Sequence, residues 1–313
     1  MIPFAAASST LVAGCGGGFD VVCALPVAFS LKKAGHIVHL ASYTFSEIKE
    51  VTGAERIDDK LFRVDRHCQP PVRGYCPEVW LCRWWHQHFG EEISVWCYRR
   101  VGVRPLAERF DYLRKKLDLQ AIVVVDAGVD GLFWGDEFEL GTPETDTASL
   151  LAAYLQDGLP RYCAFTAFGT EGTNYEVRHS DALQRMSELI AGRACLGVSA
   201  LLPQSHEGSL LHACVTYIHE QMGSEWNSHM AGSLVAAMEG RFGEQRLTHR
   251  CEVHPIWVSP LTLLYWFFDL PAVAEARPYL AQALQTDSVG QLHELIQGYR
   301  QSQPVTPRRD IPI

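Results

Sequence analysis

Ser9-Thr-Leu-Val-Ala-Gly-Cys-Gly-Gly-Gly-Phe-Asp20 decides the fold class of this 313-residue chain. A short apolar run opens into four glycines within five positions, and an apolar helix is expected over 21–34. Strand, glycine loop and helix in that order bring bare backbone N–H groups and a helix N-terminus up to a ligand. Ile37-Val-His-Leu-Ala41 reads as a second strand, reached from the first through that helix and Gly35. The chain therefore begins with a βαβ unit and a parallel sheet. A small-molecule site is expected at the first turn, with no reaction yet attached to it.

Further along, Ala121-Ile-Val-Val-Val125 is the cleanest buried strand, and it ends in Asp126. Helices are expected over 105–117, 147–156, 182–191, 210–222 and 228–240, and strands over 162–168, 194–202 and 253–258. The apolar run 261–270 reads as a buried helix, with Tyr265-Trp-Phe-Phe268 in the core and Asp269 bonding a helix terminus. Residues 58–102 read as an irregular insertion rich in cysteine and aromatic residues, from Trp80 to Tyr98. Three prolines and two arginines make 302–313 an irregular tail. The expected architecture is one α/β domain over 1–313: a Rossmann-like open, mostly parallel sheet with helices on both faces and an aromatic-rich insertion.

A net charge of −9 argues against nucleic acid or an anionic membrane as the main partner, because both require a basic face. No stretch approaches the roughly 18–20 uncharged apolar residues of a membrane span. No basic region precedes the small apolar run at the N-terminus, so a cleaved signal is not expected. Several of the ten cysteines, among them Cys23, Cys163, Cys195 and Cys214, sit in apolar runs, where a reduced thiol behaves as a small hydrophobe. A cytoplasmic protein is the expectation.

The glycine loop fails the dinucleotide fingerprint. Counted from Gly14 and Gly16, the third glycine position holds Phe19, and Ser42 and Tyr43 stand where an acidic ribose ligand would end the second strand. No Lys-Ser/Thr pair follows the glycines, which disfavours a phosphate-binding P-loop too. NAD and FAD are not expected. Gly14, Gly16, Gly17 and Gly18 remain candidates for contacting a ligand. Asp20 stands at the expected helix N-cap, where a carboxylate competes with any anion and favours a ligand's hydroxyls, amine or metal. Cys15 lies in the loop, where a helix N-terminus can lower a thiol pKa.

The second constellation is Val125-Asp-Ala-Gly-Val-Asp-Gly-Leu-Phe-Trp-Gly-Asp-Glu137. It follows a strand's C-terminal end, where ligands bind in open parallel sheets. Carboxylates gathered there repel one another unless a cation or hydroxyls intervene. Their hard oxygens suit Mg²⁺, Mn²⁺ or Ca²⁺, and Asp126, Asp130 and Asp136 are the candidate ligands. Asp20 or Glu137 is the candidate general base. Gly141-Thr-Pro-Glu-Thr-Asp146 continues the pattern, with Thr145 as an expected N-cap. Glu171, in a further glycine-bearing loop over 168–174, is a candidate ligand-binding residue.

The blocks GGGFDVV (16–22), VHLASYTF (38–45), DAGVDGLFWGDEFELGTPETD (126–146) and WVSPLTLLYWFFDL (257–270) resemble the family known as domain of unknown function 1152. The resemblance runs over nearly the whole chain and is most specific around Gly128 to Asp146. It implies a single α/β protein of about this length. It also implies that Gly16, Gly17, Gly18, Asp20, Asp126, Asp130, Gly135, Asp136 and Glu137 occupy the family's motif positions. It brings no activity with it. Ser42 stands where similar sequences carry asparagine.

His67, Cys68, Cys76, Cys82, His86, His88 and Cys97 match no common zinc spacing. The aromatic group over 80–98 instead suits burial or a homo-oligomer interface. These readings converge on a hydrolase or transferase acting on a polar metabolite (a nucleoside, sugar or phosphorylated derivative) with divalent-cation assistance. The alternative is a metabolite sensor without chemistry, acting through an oligomeric or partner interface.

Overall fold

A computed structural model describes residues 2–3, 8–71, 74–171, 177–253 and 255–305. The opening stretch forms β1 (Ser9–Gly14), then two short helices, α1 (Asp20–Cys23) and α2 (Leu25–Lys33). The single helix expected over 21–34 is divided at Ala24, because Pro26 has no N–H to continue the ladder and instead starts the second helix. β2 (Ile37–Tyr43) pairs parallel with β1, and β6 (Ala121–Asp126) pairs parallel with its other side.

Residues 58–102, expected to be irregular, extend the sheet. A short strand β3 (Glu55–Arg56), then β4 (Leu61–Val64), α3 (Pro77–Phe89) and β5 (Val95–Tyr98) follow one another. Pro77 opens α3 rather than breaking it, and Trp84 and Trp85 pack against Phe29 of α2. Trp84, Trp85, Trp96 and Tyr98 are buried within the chain itself, so their burial needs no second copy.

Next come α4 (Val103–Lys116), α5 (Pro143–Tyr154), β7 (Arg161–Phe165), α6 (His179–Ala191), β8 (Cys195–Ala200), α7 (His206–Met222) and α8 (His229–Met238). A separate ribbon pairs β9 (Gly243–Gln245) with β10 (Ile256–Val258), so the strand expected over 253–258 does not join the main sheet. The apolar run expected as a helix becomes a 3₁₀ turn (Pro260–Leu263) and then β11 (Leu264–Asp269). Its aromatic residues fit a pleated surface covered on both faces: Tyr265 and Phe267 enter one core, Phe268 the other. Asp269 caps α9 (Leu270–Glu275) by accepting from the Ala272 N–H, as expected of it. α10 (Leu280–Ala283) and α11 (Val289–Ser302) complete the described chain; the expected tail lies outside the described residues beyond 305.

The main sheet has nine strands in the order β3-β4-β5-β2-β1-β6-β7-β11-β8. β4 and β11 run against the other seven, so the sheet is mostly parallel. α2, α3, α7 and α8 cover one face, and α4, α5, α6, α9 and α11 the other. From β1 the chain moves outward through β2 in one direction and returns through β6 in the other. That reversal opens a crevice beyond the C-terminal ends of β1 and β6, where α/β proteins of this kind hold ligands.

Candidate functional site

A cavity of about 550 Å³ occupies that crevice. Its floor holds Asp20, Asp126, Asp130, Asp146 and Glu171, and its rim includes Phe45, Tyr75 and Trp226. Among the described residues, no lysine or arginine lines it.

Four of the five carboxylates reach the floor where a glycine leaves room for them. A Cβ on Gly16 would collide with the Asp146 carboxylate, and one on Gly128 with that of Glu171. On Gly131 it would lie 2.6 Å from Asp126 Oδ2, and on Gly141 2.5 Å from Asp130 Oδ2. Gly14 lies outside the lining; its bare Cα lets the start of α1 approach β1. The glycines of the sequence pattern thus provide space for acids. Gly16 and Gly17 also donate their N–H groups to Asp20 Oδ2, at 2.7 and 3.0 Å, so these amides already hold a carboxylate of the chain itself. The helix N-cap is Phe19 rather than Asp20, whose side chain folds back to close the glycine loop.

Asp126 ends β6 and accepts from the Gly131 N–H at 3.1 Å. Asp130 accepts from the Thr142 N–H at 2.7 Å, tying the two ends of the acidic segment together. Asp146 stands in the first turn of α5. That helix begins at Pro143, with Thr142 at the N-cap; Thr145, expected there, lies inside and hydrogen-bonds the Thr142 carbonyl. The loop after β7 turns through Ala167 at φ 54° and Gly169 at φ 81° before it delivers Glu171. Residues 172–174 of that loop lie outside the described residues.

Oxygen atoms of Asp20, Asp126 and Asp146 lie within 4.8 Å of one another. That span matches oxygens on one cation with metal–oxygen distances of roughly 2.0–2.6 Å. Among the described residues it is the one His, Cys, Asp or Glu group so gathered. Burial raises all five floor carboxylates above the usual range. Asp20 is pushed up to about 7, with the Gly16 and Gly17 amides pulling against burial, and Asp130 to about 6. Asp126, Asp146 and Glu171 are raised further by neighbouring carboxylates. Both oxygens of Glu171 are shielded from solvent and meet no side-chain donor among the described residues; the Asp130 backbone N–H near them pulls its pKa the other way. Cys15 is fully buried, and burial with Asp146, Asp126 and Asp20 around it pushes its thiol up, away from nucleophilic use.

Asp136 and Glu137 do not reach this floor. Arg185 of α6 binds them at 2.8 and 2.7 Å, and Glu137 also accepts from the Trp134 and Gly135 N–H groups. The guanidinium of Arg185 stacks 3.5 Å above the Trp134 ring. Asp136 and Glu137, expected as a metal ligand and a general base, instead stand with Arg185 away from the floor acids and brace the loop. Ser42 donates to the buried Glu78 carboxylate at 2.9 Å.

The sequence reading missed Asp146 as a residue of the cavity floor, although its place five residues after Gly141 repeats the glycine–acid pattern seen elsewhere. It also missed the rim residues and Arg185, which no local pattern links to the acidic segment.

A family model described as "Protein of unknown function (DUF1152)" matches residues 11–299. The chain belongs to this family. The match spans the glycine loop, the five floor carboxylates and the Arg185 brace. No curated protein and no solved structure matches the chain.

Proposed function

We propose that the chain is a hydrolase or group-transfer enzyme for a small polar metabolite, with a divalent cation held by Asp20, Asp126 and Asp146. The carrying observation is the convergence of five carboxylates in one cavity that has no described lysine or arginine to balance them. Buried like charges at such range are costly unless protonated or joined by a cation. The all-oxygen donor set fits Mg²⁺, Mn²⁺ or Ca²⁺ better than zinc. When bound, such a cation polarises a substrate oxygen and acidifies a coordinated water.

Asp130, with its pKa pushed up to about 6, is matched to accept a proton near neutral pH and serves as general base. The carboxylate of Asp20 fixes the glycine loop around the cation side of the cavity. The broken dinucleotide signature supports hydrolysis or group transfer over hydride transfer. Nine buried thiols of the ten support a reducing, cytoplasmic setting.

Mn²⁺ titration, read by melting temperature and by the paramagnetic resonance of free Mn²⁺, tests the assignment. At 100 times Kd a bound ion adds about 2.7 kcal/mol of stability. Asp126→Asn and Asp146→Asn are expected to abolish that gain. An unchanged melting temperature and unchanged free Mn²⁺ in the wild-type protein would remove the metal from the reading. With Mn²⁺ bound, ligand capture without turnover across a metabolite panel would make the chain a sensor instead.

A further inference from the structure

We propose that the substrate of this site is a cationic alkylamine, of the diamine or polyamine class, with an ammonium group seated against Glu171. The inference rests on the metal-assisted reading above and narrows its substrate. A cation on Asp20, Asp126 and Asp146 leaves Asp130 and Glu171 on the floor, and Glu225 adds another carboxylate to the lining. Glu171 lines the cavity, with its oxygens shielded from solvent, the Asp130 backbone N–H near them and no side-chain donor among the described residues. An ammonium group brings the donors and the charge that such a carboxylate lacks.

The aromatic side of the cavity supports the same class. Phe19 and Tyr75 lie 5.8 Å apart between ring centroids, and Tyr75 and Trp226 6.3 Å apart, which makes a continuous run of rings. Ring faces attract ammonium groups and cover methylene chains, so carboxylates and aromatic rings together suit an alkylamine along its length. A phosphorylated metabolite meets the opposite situation. Its charge would face three carboxylates beyond the cation-binding triad, with no described lysine or arginine in the lining to receive it. Among the metabolite classes expected from sequence, the charge pattern selects against phosphate esters.

The test uses the full chain loaded with Mn²⁺ and titrates spermidine, putrescine, AMP and ribose 5-phosphate by calorimetry. Spermidine is expected to bind, and AMP and ribose 5-phosphate are not. Glu171→Gln should weaken spermidine about tenfold or more, and Trp226→Ala about two- to fivefold. Mn²⁺ should still bind both variants, which shows that they are folded. Spermidine binding that is unchanged in both variants reports general surface charge and overturns the inference. So does AMP binding in place of spermidine, which would assign the cation to a phosphate. If Mn²⁺ binds and no amine does, the substrate class falls while the proposed enzyme stands. If spermidine binds Glu171-dependently and Mn²⁺ does not bind, the amine site stands and the metal falls.

Discussion

Asp126 and Asp130 line the cavity, whereas Asp136 and Glu137, a few residues later on the same loop, close onto Arg185. Both groups are acidic, glycine-flanked and largely buried. Arg185 gives the second group a cation, backbone donors and a ring to stack on, so its charges are spent on holding the loop. The first group has backbone donors but no described lysine or arginine beside it. The difference between the two groups lies in what balances them, not in how they look in sequence.

The strongest way to break that comparison is Arg185→Ala. It strands Glu137 as a buried charge, and a loss of about 3–5 kcal/mol in urea unfolding is expected. Asp126→Asn should instead leave the metal-free protein as stable as before, or more so, because it removes a repelling charge. Equal losses from both variants would erase the distinction.

The pH dependence of metal-free stability comes next. Asp20 has its pKa raised from 3.8 to about 7 in the fold, so the native state keeps a proton that the unfolded chain releases. Its stabilisation is full below about pH 4 and is lost as pH rises through about 7, at up to about 1.4 kcal/mol per pH unit. The Mn²⁺-dependent gain in melting temperature should run the other way and grow over the same window. Asp20→Asn protein that keeps both trends would show that other groups cause them.

A smaller effect is expected from Gly16→Ala. Its Cβ would collide with the Asp146 carboxylate, costing about 1–3 kcal/mol and displacing one oxygen of the triad. Mn²⁺ affinity should fall with it. A variant that binds Mn²⁺ like the wild type would take Asp146 out of the ligand set. The smallest effect belongs to Asp136→Asn, whose side chain is 28% exposed while Glu137 still answers Arg185. Less than about 1 kcal/mol is expected, with Mn²⁺ affinity unchanged. A large loss of affinity would return Asp136 to the metal site.

The start of the fold was legible because its signals are local. The β1 run, the glycine loop, β2 and the Val-rich β6 each carry their pattern within a few residues, and the crevice between β1 and β6 follows from their parallel pairing. β11 was not legible: a ten-residue aromatic and leucine run fits a buried helix as well as a strand, and only its place between β7 and β8 decides. The floor acids Asp20, Asp126, Asp130 and Glu171 were visible beside glycines. Asp146 was hidden by its position in a helix, and the fate of Asp136 and Glu137 by an arginine that lies far along the chain. The glycines were expected to bring backbone N–H groups to a ligand; in the fold Gly16 leaves room for the Asp146 carboxylate, and the Gly16 and Gly17 amides bind Asp20.

Arg277 donates to the Gly131 and Phe133 carbonyls, and Arg300 to those of Gly135, Glu137 and Phe138. The loop that carries the acids is thus clamped from the last part of the chain. β8, too, meets the sheet only through β11, which follows it by some sixty residues. During synthesis at about 5–20 residues per second, the ribosome exposes every cavity acid well before it releases the strand and arginines that complete their surroundings. For those seconds the nascent protein carries a half-built acidic mouth and an unpaired sheet edge. Chaperone capture would act in that interval, before the finished protein exists.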